Sequence, residues 1–494
     1  MVKQHEGAIL PFVRIDPDAT VPKFRQIQDQ LRTAILQGNL RGGTRLPASR
    51  VLADELAMSR PTIVRVLENL KSEGYLETRQ GSGTFVTKDL PWQISRQGSA
   101  TDWTGLPEIA APRLSRVGDL SRQMSADITT VGYHAFQPNH PAFDQFPFGI
   151  WRKCWNVATR TGRVSVMGYG DSAGEAVLRN RIAEYLALHR GDFCDPEQIV
   201  ITPGGHGAFA LVALLLANPG DKIWFEDPGP VTVYNLFRTL GLEICSVDVD
   251  LDGMDVAGAV ATYPDARFAF TMPSRHQPLG VTLSLSRRLA MLDWAEHNKS
   301  WIVEDDHDSE FRYIGPSLPS MRSIDLHGRV IYVGTFSKAL YPAIRVGYMV
   351  LPQQLVAPAR NLAGLVNRSV AVETQLALAE FIGGGHFVTH LRRMRQLYTQ
   401  RRAAFIEAGT RALDGLATID CPDSGMNALA WLEGGRNDTA AHRSGLALGI
   451  QSFPLSDYTV GPKRPGALIL GFSGVPAERM NYHFARLADA IANS

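Results

Sequence analysis

The sequence predicts an α/β protein in two parts, a small helical head closed by a hairpin and a larger open-sheet body. Three observations carry this. Apolar residues recur at helical spacing from Phe24 to Leu70, and two short strand-like runs follow. From 89 to 125 the chain is rich in Ser, Gly, Pro and charge, with no persistent apolar period. Beyond 126, short β-branched runs alternate with helical runs, the order of a sheet whose crossovers are helices.

The 494 residues suit about two to four domains on a prior of ~150 residues each. An apolar fraction of 45% and a charged fraction of 20% are ordinary for a globular chain. The net charge of +1 carries no global signature of nucleic-acid binding, so any such contact must be local. Cys154, Cys194, Cys245 and Cys421 are scattered without a CxxC pair, which suits a reducing compartment. Ala8–Val13 is too short and proline-broken for a signal segment, and Ala208–Ala217 is about half a membrane span. These features predict a cytoplasmic protein without a membrane partner.

In the head, Phe24, Ile27, Leu31 and Ile35 mark a first helix that stops at Gly38. Leu46-Pro47-Ala48-Ser49 breaks the chain and offers Ser49 as cap of a second helix carrying Leu52 and Leu56. Ser59 is placed to cap a third, with Pro61 in its first turn, where a missing N–H costs little. Ile63, Val66, Leu67 and Leu70 form its buried stripe, leaving Pro61, Thr62, Arg65 and Asn69 outward. Tyr75–Arg79 and Thr84–Thr87 flank Gln80-Gly81-Ser82-Gly83 as a hairpin. Residues 1–90 hold 13 Lys+Arg against 10 Asp+Glu, so arrangement rather than bulk charge must decide their role.

That arrangement resembles the winged helix-turn-helix of GntR-type bacterial regulators over nearly the whole of residues 1–88. The matching stretches are Leu46–Arg50, Ser59–Thr62, Leu67–Leu70, Gly74–Leu76 and Arg79–Val86. The resemblance implies that Arg50, Arg60, Thr62, Arg65 and the wing residues Arg79, Gly81, Ser82, Gly83 and Thr84 contact double-stranded operator DNA. Arginine suits both base edges and phosphates. Residues 89–125 read as a tether, on which Trp92 and Trp103 can dock.

In the body, residues 126–494, Ile199–Thr202, Lys222–Phe225, Phe268–Phe270, Trp301–Glu304 and Val330–Val333 read as strands. Functional residues then sit just past strand ends, where open sheets bind ligands. Lys338 follows Gly334-Thr335-Phe336-Ser337; Asp305 lies 33 residues before it and Arg345 seven after. Pyridoxal 5'-phosphate needs such a trio: a Schiff-base lysine, a carboxylate for the protonated pyridine nitrogen and a guanidinium for the phosphate. Thr202–Gly207 opens a helix whose N–H groups can hold phosphate. Glu304–Asp308 is oxygen-rich, but no second cluster completes a metal site, and His386-x3-His390 lacks the glutamate of a zinc protease.

This body resembles fold-type I aminotransferases, and the whole chain resembles the MocR/GabR family of regulators. Further matching stretches are Tyr169–Gly174, Pro273-Ser274, Pro278–Gly280, Glu304–Tyr313 and Gly385–Arg395. By position, the resemblance makes Lys338 the Schiff-base lysine and Asp305 the pyridinium partner. It sets Gly205, His206, Thr335 and Arg345 around the phosphate. Tyr169 matches a tyrosine that reaches the neighbouring subunit's phosphate, which implies a homodimer, with a head-to-tail arrangement open. Three positions depart from the pattern. His307 stands where a tyrosine bonds the cofactor's phenolic oxygen, Gln277 where an asparagine is usual, and Pro230 where an aromatic residue stacks. The strand Ala467–Phe472 lacks the arginine that forks a substrate carboxylate, and Arg464 would need another backbone path.

The expected function is a dimeric, PLP-dependent transcriptional regulator that senses a small amine, an amino acid or PLP itself. Three alternatives stay open: an aminotransferase with a regulatory head, PLP as the only effector, and a body without cofactor.

Overall fold

The structure, a computed structural model, describes residues 13–17, 19–79, 81–88, 113–122, 134–160, 167–315, 319–462 and 464–494. The chain divides into two compact units, Met1–Arg113 and Leu114–Ser494.

In the first unit, helices α1 (Lys23–Leu36), α2 (Ser49–Glu55) and α3 (Arg60–Ser72) precede an antiparallel hairpin of β1 (Leu76–Arg79) and β2 (Gly83–Val86). Ile27, Leu31 and Ile35 of α1 meet Leu52 of α2, Ile63, Val66 and Leu70 of α3, and Leu76 and Val86 of the hairpin in one core. Ser59 caps α3 through the Thr62 N–H, and Pro61 occupies its first turn. Two local expectations are corrected. The cap of α2 is Ala48, and Ser49 is its first helical residue. Asn69 faces inward: its amide donates to Gln28 Oε1 at 3.1 Å, and Gln28 donates to Glu73 at 2.7 Å. A polar chain therefore ties α3 to α1, because three mutually packed helices leave little outward face. Gln80, Trp92 and Trp103 lie outside the described residues.

The stretch expected to be a plain tether contains a helix, Arg116–Ser121, capped by the Ser115 hydroxyl on the Gly118 N–H at 3.2 Å. A single local cap suffices to start a turn that apolar periodicity does not announce.

The second unit is built on an eight-stranded sheet. Its strands are β3 (Ile199–Thr202), β4 (Lys222–Asp227), β5 (Glu243–Asp250), β6 (Gly253–Met254), β7 (Phe268–Thr271), β8 (Trp301–Asp306), β9 (Val330–Thr335) and β10 (Gly347–Val350). The order is β3-β10-β9-β8-β7-β4-β5-β6, with β10 and β6 antiparallel to their neighbours and the rest parallel. Strands buried on both faces read as continuous apolar runs. Val303, Ile331 and Val333 pack on one face with helix Gly204–Leu216. Ile302 and Val330 pack on the other with Met291 and Trp294 of helix Leu285–His297. The C-terminal ends of β3, β9, β8, β7 and β4 consequently share one edge. A second, antiparallel sheet follows in the order β11 (Ala417–Asp420), β12 (Asn427–Leu432), β14 (Ala467–Gly471), β13 (Phe453–Pro454). Among the described residues no helix is long and apolar enough to cross a membrane.

Candidate functional site

A cavity of about 320 Å³ opens at that shared edge. It collects Gly205, His206, Gln277, Asp305, His307, Thr335, Lys338 and Arg345, together with Pro230. Six segments of chain deliver these residues, so only the fold brings them together.

Phe336 anchors the turn after β9 by packing edge-on to Phe387, with ring centroids 5.5 Å apart. That anchor leaves Lys338 facing the cavity. Burial lowers the Lys338 ammonium from 10.5 to about 8, Arg275 adds to the fall, and Asp308 and Asp305 oppose it. Asp305 comes from the end of β8, where successive side chains face opposite sides of the sheet. His307 lies between two carboxylates, with Nδ1 3.4 Å from Asp305 and Nε2 3.5 Å from Asp308. Burial works against its positive charge, but the two carboxylates outweigh it and raise the imidazole above its ordinary value. Asp308 is fixed in turn by Arg275 at 3.1 Å. Arg275 also donates to the carbonyls of Ser424, at 3.0 Å, and Asn427, at 3.2 Å, and so joins the large sheet to the C-terminal one.

The opposite wall is the start of helix Gly204–Leu216. Gly204 has φ +75, a left-handed conformation that glycine adopts without cost, and its backbone is approached by Gly347. The Arg345 guanidinium lies over this helix start and donates to the Pro203 carbonyl at 3.2 Å. Free N–H groups and a guanidinium thus face the same corner, an arrangement suited to phosphate. Thr335 turns its hydroxyl to the Ser337 N–H at 3.2 Å. Tyr458 bonds Gln277 from the C-terminal sheet side.

Tyr169 is not in the cavity. It is 77% exposed, with Arg368 stacked 4.9 Å above its ring. Arg464 is also elsewhere, ion-paired to Asp248 and donating to the Asp227 and Val249 carbonyls. Ile469 and Leu470 are fully buried in core. His390 bonds the Ala339 carbonyl at 3.1 Å, a packing role. The carboxylates of Glu304–Asp308 diverge onto separate partners, Glu304 taking the Met321 and Arg322 N–H groups and Asp306 taking Arg190.

Sequence reasoning missed Gln137, Asn139, His140, Phe453 and Tyr458, which also line the cavity. Gln137 Oε1 is buried there without a partner. The first three lie early in the expected body, before its first strand, and no chemical motif marks any of them.

In the head, Arg50, Arg60 and Arg65 are exposed, Thr62 half-buried. Arg65 stacks 4.9 Å over Phe24, and Arg79 pairs with Glu77 at 2.7 Å beneath Phe85. Arg45 was missed; its guanidinium lies beside Gly83, 3.1 Å from where a Cβ would sit. Exposed arginines at the starts of α2 and α3 and at the hairpin fit a groove-binding surface.

Comparison with known proteins agrees with both halves. The family of bacterial regulatory proteins, gntR family, matches residues 23–86, and aminotransferase class I and II matches residues 153–482. The chain is 36% identical over 478 residues to the probable rhizopine catabolism regulatory protein MocR of Rhizobium meliloti, covering 97% of this chain and 95% of that one. It is 28% identical over 485 residues to the HTH-type pyridoxine biosynthesis transcriptional regulator PdxR of Corynebacterium glutamicum, covering 97% and 98%. The body shares the fold of the α-aminoadipate aminotransferase LysN of Thermus thermophilus, with a TM-score of 0.70 and 23% identity over 76% of this chain and 97% of that one. The chain belongs to the MocR-type HTH transcriptional regulators, in which a gntR-family head precedes a body of the fold-type I aminotransferase class.

Proposed function

We propose that this regulator holds pyridoxal 5'-phosphate in the body cavity, senses a small amine, amino acid or PLP itself there, and binds operator DNA through its head. The convergence of Lys338, Asp305, Thr335, Gly205 and Arg345 on one cavity carries the reading. The residues fit the cofactor: an enclosed amine of lowered pKa, a carboxylate beside it, a buried imidazole at His307, and a helix start under a guanidinium. When bound, PLP supplies an aldehyde that captures primary amines and a ring that draws electrons from them.

Each side chain then has a role. Lys338 offers a neutral amine, Asp305 holds a proton on the pyridine nitrogen, and His307 donates toward the ring oxygen. Arg345, Thr335, Gly205 and His206 hold the phosphate, and Gln277 positions the ring. Among the described lining residues, Lys338 and Arg345 are the only cations apart from histidines. A carboxylate entering this cavity has no guanidinium left to pair with, which favours sensing over transamination. The same observation disfavours an amino acid among the three candidates, since neither a simple amine nor PLP brings a carboxylate to pair.

A homodimer is supported by an apolar outer face on helix Phe148–Arg160, with Phe148 and Val157 exposed, and by the outward Tyr169, placed to serve a second copy. Tyr169 then reaches the neighbouring subunit's phosphate. DNA binding and the scattered cysteines support a cytoplasmic location.

The test is visible absorption after loading with PLP and removing the excess, followed by operator binding with and without added amines. A retained band that amines shift without keto-acid turnover supports the sensor. Steady turnover supports the enzyme, and operator binding that responds to PLP alone supports the effector version. Absence of any band refutes the cofactor assignment.

A further inference from the structure

Two motifs in the body are only partly used by the first cavity. Glu304–Tyr313 sends Asp305 and His307 into it and leaves Asp306, Ser309, Glu310 and Arg312 facing elsewhere. Gly385–Arg395 contributes nothing to it. Both motifs meet at a second cavity, of about 340 Å³, whose charged lining is Arg190, Glu310, Arg312, Arg392 and Arg395.

The charges there do not balance. Arg190 is matched by Asp306 at 2.6 Å, and the Tyr332 hydroxyl donates to the same carboxylate at 2.7 Å. Among the described residues no carboxylate lies within 4.0 Å of Arg312, Arg392 or Arg395. Arg395 donates twice to the Glu310 carbonyl, at 3.1 and 2.8 Å, which orients the guanidinium without cancelling its charge. Arg312 Nε is buried with no partner. Leu391, Arg392 and Arg395 lie on one face of helix His386–Ala412, so the two arginines approach together. The chain continues from Gly315 as Pro316-Ser317-Leu318, with no acid to supply the missing charge. Glu310 offsets it only in part, since burial pushes its carboxyl up to about 7. Like charges facing one concavity repel, and a bound anion reverses that sign.

We propose that this second cavity is a binding site for a compact dianion, of phosphate or dicarboxylate type, held by Arg312, Arg392 and Arg395. Planar guanidinium forks match both oxygen geometries, and the Ser309 hydroxyl adds a donor at the wall. The site stands on the far side of β8 from the first cavity, since Asp305 lines one while Asp306, the next residue of the strand, pairs with Arg190 of the other. One continuous stretch, Asp305 to Arg312, therefore serves both.

Isothermal titration of the full chain with inorganic phosphate, and separately with malonate, tests this at constant ionic strength in chloride. Each titration is run with and without PLP, because phosphate can also occupy the Arg345 corner of an unloaded chain. Saturable binding of one dianion per chain is expected in the loaded protein, and the tighter probe identifies the ligand type. Arg312→Gln and Arg392→Gln are each expected to weaken it by about tenfold or more. Arg486→Gln, on another helix and stacked on Tyr482, leaves it unchanged. Thermal melts confirm that the variants fold. No saturable binding of either probe, binding that survives both substitutions, or binding that PLP abolishes would overturn the proposal. If PLP fails to load, the cofactor reading falls, and dependence on Arg312 and Arg392 still decides this one.

Discussion

On the proposed reading, the lowered pKa of Lys338 sets the pH at which PLP would load. An amine attacks a carbonyl only when neutral, so the rate of capture follows the neutral fraction. At an ordinary value of 10.5, about one part in a thousand of the amine is neutral at pH 7.5; at about 8, roughly a quarter is. The difference is on the order of 200-fold in available nucleophile. Mixing unloaded protein with PLP from pH 6.5 to 9.5 and following the visible band measures it. The rate is expected to rise up to about pH 8 and then flatten. Lys338→Ala is expected to show no such band. A rate that climbs about tenfold per unit through pH 9.5 would refute the argument, because the lysine would then be an ordinary solvated amine.

Other perturbations test the surroundings. Arg60→Ala is expected to weaken operator binding with PLP loading intact and, if the contact is to phosphate, to reduce the salt slope by about 1, read by fluorescence anisotropy; loss of both functions would indicate misfolding. Asp308→Asn removes one of the two carboxylates that raise His307, so the imidazole midpoint followed by NMR is expected to fall. The stability that protonated His307 contributes is fully present below the ordinary histidine value and is lost as pH rises through its raised folded value. The deficit of Asp308→Asn in urea should accordingly be larger at pH 5.5 than at pH 9. Arg275→Met strands a buried carboxylate and two carbonyls, costing about 3–5 kcal/mol in urea unfolding, and adding Asp308→Asn should recover part of that.

Much of the site was legible because its chemistry is written in local order. Asp305, Thr335 and Lys338 each follow an apolar run, and parallel strands bring such ends to one edge whatever their separation in sequence; Arg345 joins them from just before β10, which runs antiparallel. The head was legible because cap, proline and apolar stripe agree on one helix in α3. What escaped has a common cause. β5 and β10 carry no residue of the candidate site, so alternation alone had to reveal them. Gln137, His140, Phe453 and Tyr458 reach the cavity from segments far apart in the chain, and only three-dimensional closure makes them neighbours. Asn69 departs from the outward reading because its polarity suggests solvent, whereas Gln28 and Glu73 complete a half-buried chain with it.

The cavity walls also suggest why a regulator would retain this architecture after losing the carboxylate arginine. Lys338, Asp305 and Thr335 belong to the large sheet, while Phe453 and Tyr458 belong to the C-terminal segment, and Gln137 to His140 run beside both. Arg275 bridges the same two parts through Ser424 and Asn427. A ligand held between them gains contacts only when both walls are in place, so its binding energy bears on their relative position. Differential affinity of this kind is all a two-state switch requires. Turnover would release the ligand and end the signal, whereas capture without a forked carboxylate keeps it bound. On the proposed reading, a pocket that holds an amine without gripping an acid group is better matched to sensing than to catalysis.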